Sequence, residues 1–157
     1  MKFTAVIFAS FYCFLLVGQT AFEQSQKAFQ QYLSTDSIRA KKELAFQRKH
    51  ARSATQKIRF TLNQAAFYGQ VADLERMEST LDRIKLSELK KEVTLEGEFV
   101  RLRSLVDYRK NNYDASTKRI YAFFQRRKSV PAETRIDLIL NICANEIAKG
   151  EYGAGLR

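Results

Sequence analysis

The chain has 157 residues and a formal net charge of +10, from 27 Lys and Arg against 17 Asp and Glu. This length admits one domain but hardly two. A single proline and six glycines argue against β architecture, which needs turn residues every few positions. The positive excess favours anionic partners such as sulfated sugars, phospholipid surfaces, acidic proteins or nucleic acid, and solubility alone is the alternative explanation of the charge.

The first 21 residues have the layout of a secretory signal peptide. Lys2 supplies a positive start, Phe3–Val17 is an uncharged apolar run, and Gly18–Ala21 is a small and polar exit. We therefore predict a signal peptide over residues 1–21 and a secreted, extracellular protein. The alternative is an uncleaved signal anchor in the membrane, because Phe3–Phe22 carries no charge and about 20 apolar residues suffice to cross the hydrocarbon core.

The pattern of residues 22–150 predicts an all-α, antiparallel helical bundle of four to five helices. The first helix covers Phe22–Leu33, and capping-type side chains at Ser34–Ser37 interrupt it. One long helix then runs from Ile38 to Tyr68, with Gly69 as its C-terminal cap.

The second half of the chain predicts further helices with two interruptions. A helix begins near Val71, bends at 85–87 and is interrupted again at 94–97. The next apolar stripe holds its phase from Leu95 to Phe124, so we expect at most a kink at residues 111–112. The last helix begins around Pro131, and residues 151–157 form a flexible tail.

Cysteine usage is unusual for a small secreted protein, because such proteins often depend on two or more disulfides. Cys13 lies in the predicted signal and leaves with it, so Cys143 keeps no partner in the chain. The last helix carries an apolar stripe, which predicts a buried and inert Cys143 thiol. A homodimer linked through Cys143 is the rival interpretation. The members of the stripe are Ile136, Ile139, Leu140, Cys143 and Ile147.

Basic residues are segregated along the chain. Residues 36–60 carry eight bases and two acids and residues 101–128 nine bases and two acids, whereas residues 73–98 carry five bases and eight acids. The candidate anion-binding or partner-binding residues are Lys41, Arg48, Arg52, Arg59, Arg126, Arg127 and Lys128. A structural role is the alternative for the last three, since a helix dipole favours cations in its last turn. Proteolytic processing at this basic cluster is a third interpretation.

Enzymatic signals are nearly absent. The one histidine, His50, lies among cations and has no second histidine for a metal site, and the carboxylates of residues 73–98 follow helix-surface spacing. We therefore predict no enzymatic activity, cofactor or metal, and a secreted helical protein that binds an extracellular protein or an anionic polymer. The alternative is a lipid or apolar-ligand carrier that opens on membrane surfaces. Nucleic acid is disfavoured as a partner of a secreted chain.

Overall fold

The computed structural model describes residues 21–150. The predicted tail over 151–157 and the predicted signal peptide, apart from Ala21, lie outside the described residues. The described part is built of helices and turns and contains no strand. The all-α prediction is therefore confirmed, but this part of the chain holds eight helices where four to five were predicted.

The complete helices of the described part contain between 4 and 17 residues and are joined by brief turns. The described part of α1 covers residues 21–32. The remaining helices are α2 (Ser37–His50), α3 (Ala54–Gln70), α4 (Leu74–Asp82), α5 (Leu86–Leu89), α6 (Val93–Arg109), α7 (Tyr113–Arg126) and α8 (Ala132–Ala148).

The chain divides into two compact units with a boundary between Asn63 and Gln64. We call their described parts the N-terminal unit (residues 21–63) and the C-terminal unit (residues 64–150). The N-terminal unit contains α1, α2 and the first part of α3, whereas the C-terminal unit contains the rest of α3 and all later helices.

A buried polar network connects the three helices of the N-terminal unit. The side chain of Gln47, which is fully buried, donates to the backbone oxygen of Ser25 at 3.3 Å and accepts from Asn63 Nδ2 at 2.9 Å. The Ser25 hydroxyl donates to the Glu43 carboxylate at 2.6 Å. Because buried polar groups must be paired, these bonds fix which faces of α1, α2 and α3 meet.

The single helix predicted over residues 38–68 is wrong, because the chain turns between His50 and Ala54. Ala51 has an extended backbone, and a capping box starts α3. In this box Ser53 Oγ accepts from the backbone N–H of Gln56 at 3.1 Å, and Gln56 Oε1 accepts from the backbone N–H of Ser53 at 3.2 Å. The reciprocal bonds begin a new helix inside a stretch of helix-forming residues.

The prediction that residues 111–112 cause only a kink is also wrong. The chain reverses there, and Asn111 adopts a left-handed backbone with φ of 60°, a conformation that asparagine tolerates better than most residues. Hydrogen bonds then join α6 and α7 in antiparallel order. Ser104 Oγ donates to the Ser116 oxygen at 3.4 Å, and Arg119 donates to Asp107 at 2.8 Å.

The turn after α3 differs from the prediction as well. Gly69 was expected to cap this helix, but α3 continues to Gln70 and the left-handed residue is Ala72, with φ of 60°. Gly69 is buried instead, and a Cβ added to it would lie 3.0 Å from Met77 Sδ. Its lack of a side chain therefore permits close packing against α4.

Three other predicted boundaries agree with the structure. α4 ends at Asp82 and α5 begins at Leu86, so the bend near residues 85–87 is confirmed. α8 begins directly after Pro131, and Gly150 follows its end with a left-handed φ of 81°. The second interruption lies at residues 90–92, slightly before the predicted position.

α8 presents its apolar stripe outward, contrary to the prediction of a buried stripe. Ile136, Leu140 and Ile147 are 57%, 61% and 52% exposed, and Cys143 is half-buried. The inward face holds Leu138, Ile142 and Asn145, which follow the same helical spacing. Hydrogen bonds on the inward face favour this rotation of α8, because Asn145 Nδ2 donates to Ser116 Oγ at 2.9 Å and to Thr117 Oγ1 at 3.0 Å.

One apolar core cluster of the C-terminal unit lies where α6, α7 and α8 meet. Its centre consists of Val100, Ile120, Phe123, Val130 and Leu138. Gly97 allows α8 to approach α6 closely, because a Cβ at this position would lie 2.2 Å from Thr134 Cγ2.

Among residues 21–150, the structure contains no helix with both the length and the apolar character that a membrane crossing requires.

We expect Gly97→Ala to destabilise the protein by about 1 kcal/mol, because overpacking costs about 1–3 kcal/mol while alanine regains about 1 kcal/mol of helix propensity. Urea unfolding measures the change. Adding Thr134→Ala to Gly97→Ala removes the methyl group that clashes and should recover most of the loss. A Gly97→Ala protein as stable as the parent would contradict this packing.

Candidate anion-binding surface

Most of the positive charge excess lies in the N-terminal unit. Residues 21–63 contain nine Lys and Arg and three Asp and Glu, which leaves +6. Residues 64–150 contain sixteen Lys and Arg and thirteen Asp and Glu, which leaves only +3 over about twice the length. The candidate site therefore depends on how each unit uses its cations.

The C-terminal unit uses many of its cations in ion pairs. Hydrogen bonds to Asp114 and then Glu146 raise the pKa of Lys149. Ion pairs of this kind neutralise positive charge that would otherwise attract anions. The pairs are Arg76 with Asp73, Arg101 with Glu98, Arg103 with Asp82, Lys110 with Glu78, Arg119 with Asp107, and Lys149 with Asp114 and Glu146.

The N-terminal unit leaves most of its cations to solvent. Lys41, Arg48 and Arg52 are exposed, and no carboxylate within residues 21–150 forms an ion pair with them. Lys41 and Arg48 are seven residues apart on α2, so they lie on one flank about 10 Å apart along the axis. Arg52 follows the end of the helix. Lys41 and Arg48 thus share one accessible flank, and Arg52 is exposed four residues further along the chain.

Two exposed lysines that the sequence analysis did not name extend this surface. Lys42 and Lys49 repeat the seven-residue spacing of Lys41 and Arg48 on the adjoining side of α2. The seven-residue spacing of Lys42 and Lys49 in the sequence could have identified them as part of this surface. We define the α2 basic surface as Lys41, Lys42, Arg48, Lys49 and Arg52.

Arg59 is separate from the α2 basic surface, because the turn before α3 breaks the helix that would have aligned it. Its side chain is half-buried and lines a cleft of about 470 Å³ that also includes Phe22, Glu23 and Gln56. The cleft is polar and contains an acid beside the arginine, so Arg59 is a weaker candidate for binding a polyanion.

Arg126 and Arg127 surround a buried carboxylate. Glu96 on α6 is only 6% exposed. Arg127 Nε donates to Glu96 Oε2 at 2.6 Å, and Arg127 Nη2 donates to the backbone oxygen of Lys90 at 2.8 Å. Arg126 Nη2 donates to Glu96 Oε1 at 3.3 Å. The structure therefore gives these two arginines a neutralising contact, whereas Lys128 is exposed.

The side chain of His50 packs against the preceding turn of α2. His50 is half-buried, stacks on Phe46 with ring centroids 3.9 Å apart, and has Nδ1 2.8 Å from the Phe46 backbone oxygen. Residues 21–150 contain no group of three His, Cys, Asp or Glu side chains that could hold a metal ion.

A comparison of the chain with protein-family models, with curated proteins and with solved structures finds no match in any of the three.

We expect Arg127→Ala to lower the free energy of unfolding by about 2–3 kcal/mol, because it leaves the buried Glu96 carboxylate with one long hydrogen bond. Lys128→Ala removes the same charge from an exposed position and should change stability by less than about 0.5 kcal/mol. Urea unfolding of both variants makes the comparison. Equal effects would contradict the structural role of Arg127.

Proposed function

We propose that this protein is a secreted, non-enzymatic helical protein that binds an anionic extracellular polymer through the α2 basic surface. The observation that carries the proposal is the unequal use of cations. The α2 basic surface is exposed and lacks carboxylate partners within residues 21–150, whereas the other unit pairs many of its bases. Unpaired cations raise the local potential and attract polyanions at long range.

A sulfated polysaccharide fits the surface better than a single small anion does. Five cations on one helix and its following turn form an elongated patch, and a row of separate charges matches a chain of anionic groups better than one phosphate or sulfate group. Binding of this kind is dominated by charge, so it weakens as salt screens the exposed side chains. An acidic protein surface would show the same salt dependence and is the competing partner.

The binding test compares two triple variants on an immobilised sulfated polysaccharide. Lys41→Ala/Arg48→Ala/Arg52→Ala removes three cations from the α2 basic surface and should elute at clearly lower salt than the parent. Lys85→Ala/Lys91→Ala/Arg109→Ala removes three exposed cations of the C-terminal unit and serves as the control of equal charge. Because both variants have the same net charge, a specific surface predicts a larger shift for the first.

Equal shifts for the two variants would show that retention depends on net charge alone and would overturn the α2 basic surface as the site. Retention of the parent on an immobilised acidic protein, with none on the polysaccharide, would transfer the proposal to a protein partner. Circular dichroism should show unchanged helix content in both variants, since all six side chains are exposed.

Secretion has its own test. Expression of the full chain in a secreting host should release a protein whose N-terminal residue lies between positions 19 and 22, as N-terminal sequencing would show. Phe22 is 1% exposed in the N-terminal unit, so a cut at any of these positions keeps this core side chain. A protein that remains in the membrane with an intact N-terminus would instead support the signal-anchor alternative.

A further inference from the structure

A groove in the C-terminal unit combines an apolar floor with a cationic rim. Its volume is about 390 Å³, and its floor is formed by Leu86, Phe99, Val100, Ala115 and Ala122. Val100 also belongs to the core of this unit, so the floor of the groove continues the apolar interior to the surface. Leu86 is 60% exposed, which leaves a large apolar side chain at the mouth of the groove.

Two alanines on α7 create the space. Ala115 and Ala122 are seven residues apart and therefore lie on the same face of the helix. Larger side chains at these positions would fill the gap toward α6. The volume is at the lower end of the ~300–1,000 Å³ range of ligand pockets, which suits one acyl chain and is too small for two.

The rim of the groove is positive. Lys118 lies between the two alanines, is exposed, and has no ion-pair partner among residues 21–150. Arg119 and Arg126 also line the groove. The one acid of the lining, Glu96, accepts two hydrogen bonds from Arg127 through its Oε2 atom. Its charge is thus already compensated from outside the groove.

The cations of the rim, Lys118, Arg119 and Arg126, differ in how many hydrogen bonds they already donate to carboxylates. Arg119 donates through Nε and Nη2 to Asp107, at 2.9 and 2.8 Å. Arg126 is 57% exposed and makes only a 3.3 Å contact to Glu96 Oε1. Lys118 and Arg126 therefore retain donors that a negatively charged headgroup could accept.

We infer that this groove binds a single-chain amphiphile with an anionic headgroup, such as a long-chain fatty carboxylate. The acyl chain would lie along the apolar floor between α6 and α7, and the carboxylate would accept from Lys118 and Arg126. Burial of the chain provides the driving force, and the rim provides selectivity for the anionic head. This site does not depend on the proposed polyanion surface, because it uses none of the same residues.

The test measures binding of three 12-carbon amphiphiles by isothermal titration calorimetry, each below its micellar concentration or solubility limit and with protein purified after expression of the full chain. Dodecanoate should bind, dodecanol should bind about tenfold more weakly, and dodecyltrimethylammonium should bind least. Hydrogen bonds to charged groups are strong enough to produce a tenfold change. Equal binding of all three would overturn the role of the cationic rim.

Two variants locate the site. Lys118→Met keeps the length of the side chain and should weaken dodecanoate binding about tenfold while leaving dodecanol binding unchanged. Ala122→Phe fills the groove and should abolish binding of both, whereas Ala45→Phe, at an exposed position of α2, is the control for an added phenyl ring. Because Lys118 is exposed, its variant tests the site even if Ala122→Phe fails to fold.

The exposed stripe of α8 is the main competing apolar surface, and a third variant separates it from the groove. Ile136→Ser/Leu140→Ser removes two of its exposed side chains and should leave dodecanoate binding unchanged. Binding that is lost in this variant but retained in Lys118→Met and Ala122→Phe would overturn the assignment to the groove.

Discussion

Glu96 brings a negative charge into the C-terminal unit, where its side chain is 8% exposed, and the packing around it has to compensate that charge. Arg126 and Arg127 do so from the end of α7, and Arg127 also binds the Lys90 carbonyl in front of α6. Because an unpaired buried charge costs several kcal/mol, the end of α7 is held against the start of α6. The α6–α7 hairpin then offers the surface on which α8 packs.

This compensation explains why a basic chain does not present positive charge everywhere. In the C-terminal unit, carboxylates on neighbouring helices take up many of the arginines and lysines, so these cations join helices. In the N-terminal unit, a buried hydrogen-bond network around Gln47 joins the helices instead, through Ser25, Asn63 and the Glu43 carboxylate. The cations of the α2 basic surface form no ion pair with a carboxylate among residues 21–150 and remain available to a partner, which is the physical basis of the proposed binding surface.

Helical class and several boundaries follow from the sequence, since turn residues near 34–37, 85–87 and Pro131 mark local stops. The long helix predicted over residues 38–68 is wrong because a short capping motif, beginning at Ser53, overrides strong helix-forming composition. The long helix predicted across residues 111–112 is wrong for a similar reason. The left-handed backbone of Asn111 reverses the chain, although the apolar residues before and after it keep the same helical periodicity. In the candidate site, the flank of Lys41 and Arg48 is a consequence of spacing alone. The ion pair between Arg127 and Glu96 joins residues 31 positions apart in the chain. The helical periodicity of the sequence does not predict such a contact.

The outward stripe of α8 has a consequence for the uniqueness of the fold. A helix with isoleucines on one side and an asparagine on the other has two plausible rotations about its axis, and hydropathy alone favours the one not observed. The Asn145 amide favours the observed rotation, because among residues 21–150 its Nδ2 donates to the hydroxyls of Ser116 and Thr117. This arrangement has an energetic cost, since Asn145 Oδ1 is buried and accepts no hydrogen bond within residues 21–150. An apolar residue at position 145 would remove this unpaired oxygen together with the two hydrogen bonds that favour the observed rotation.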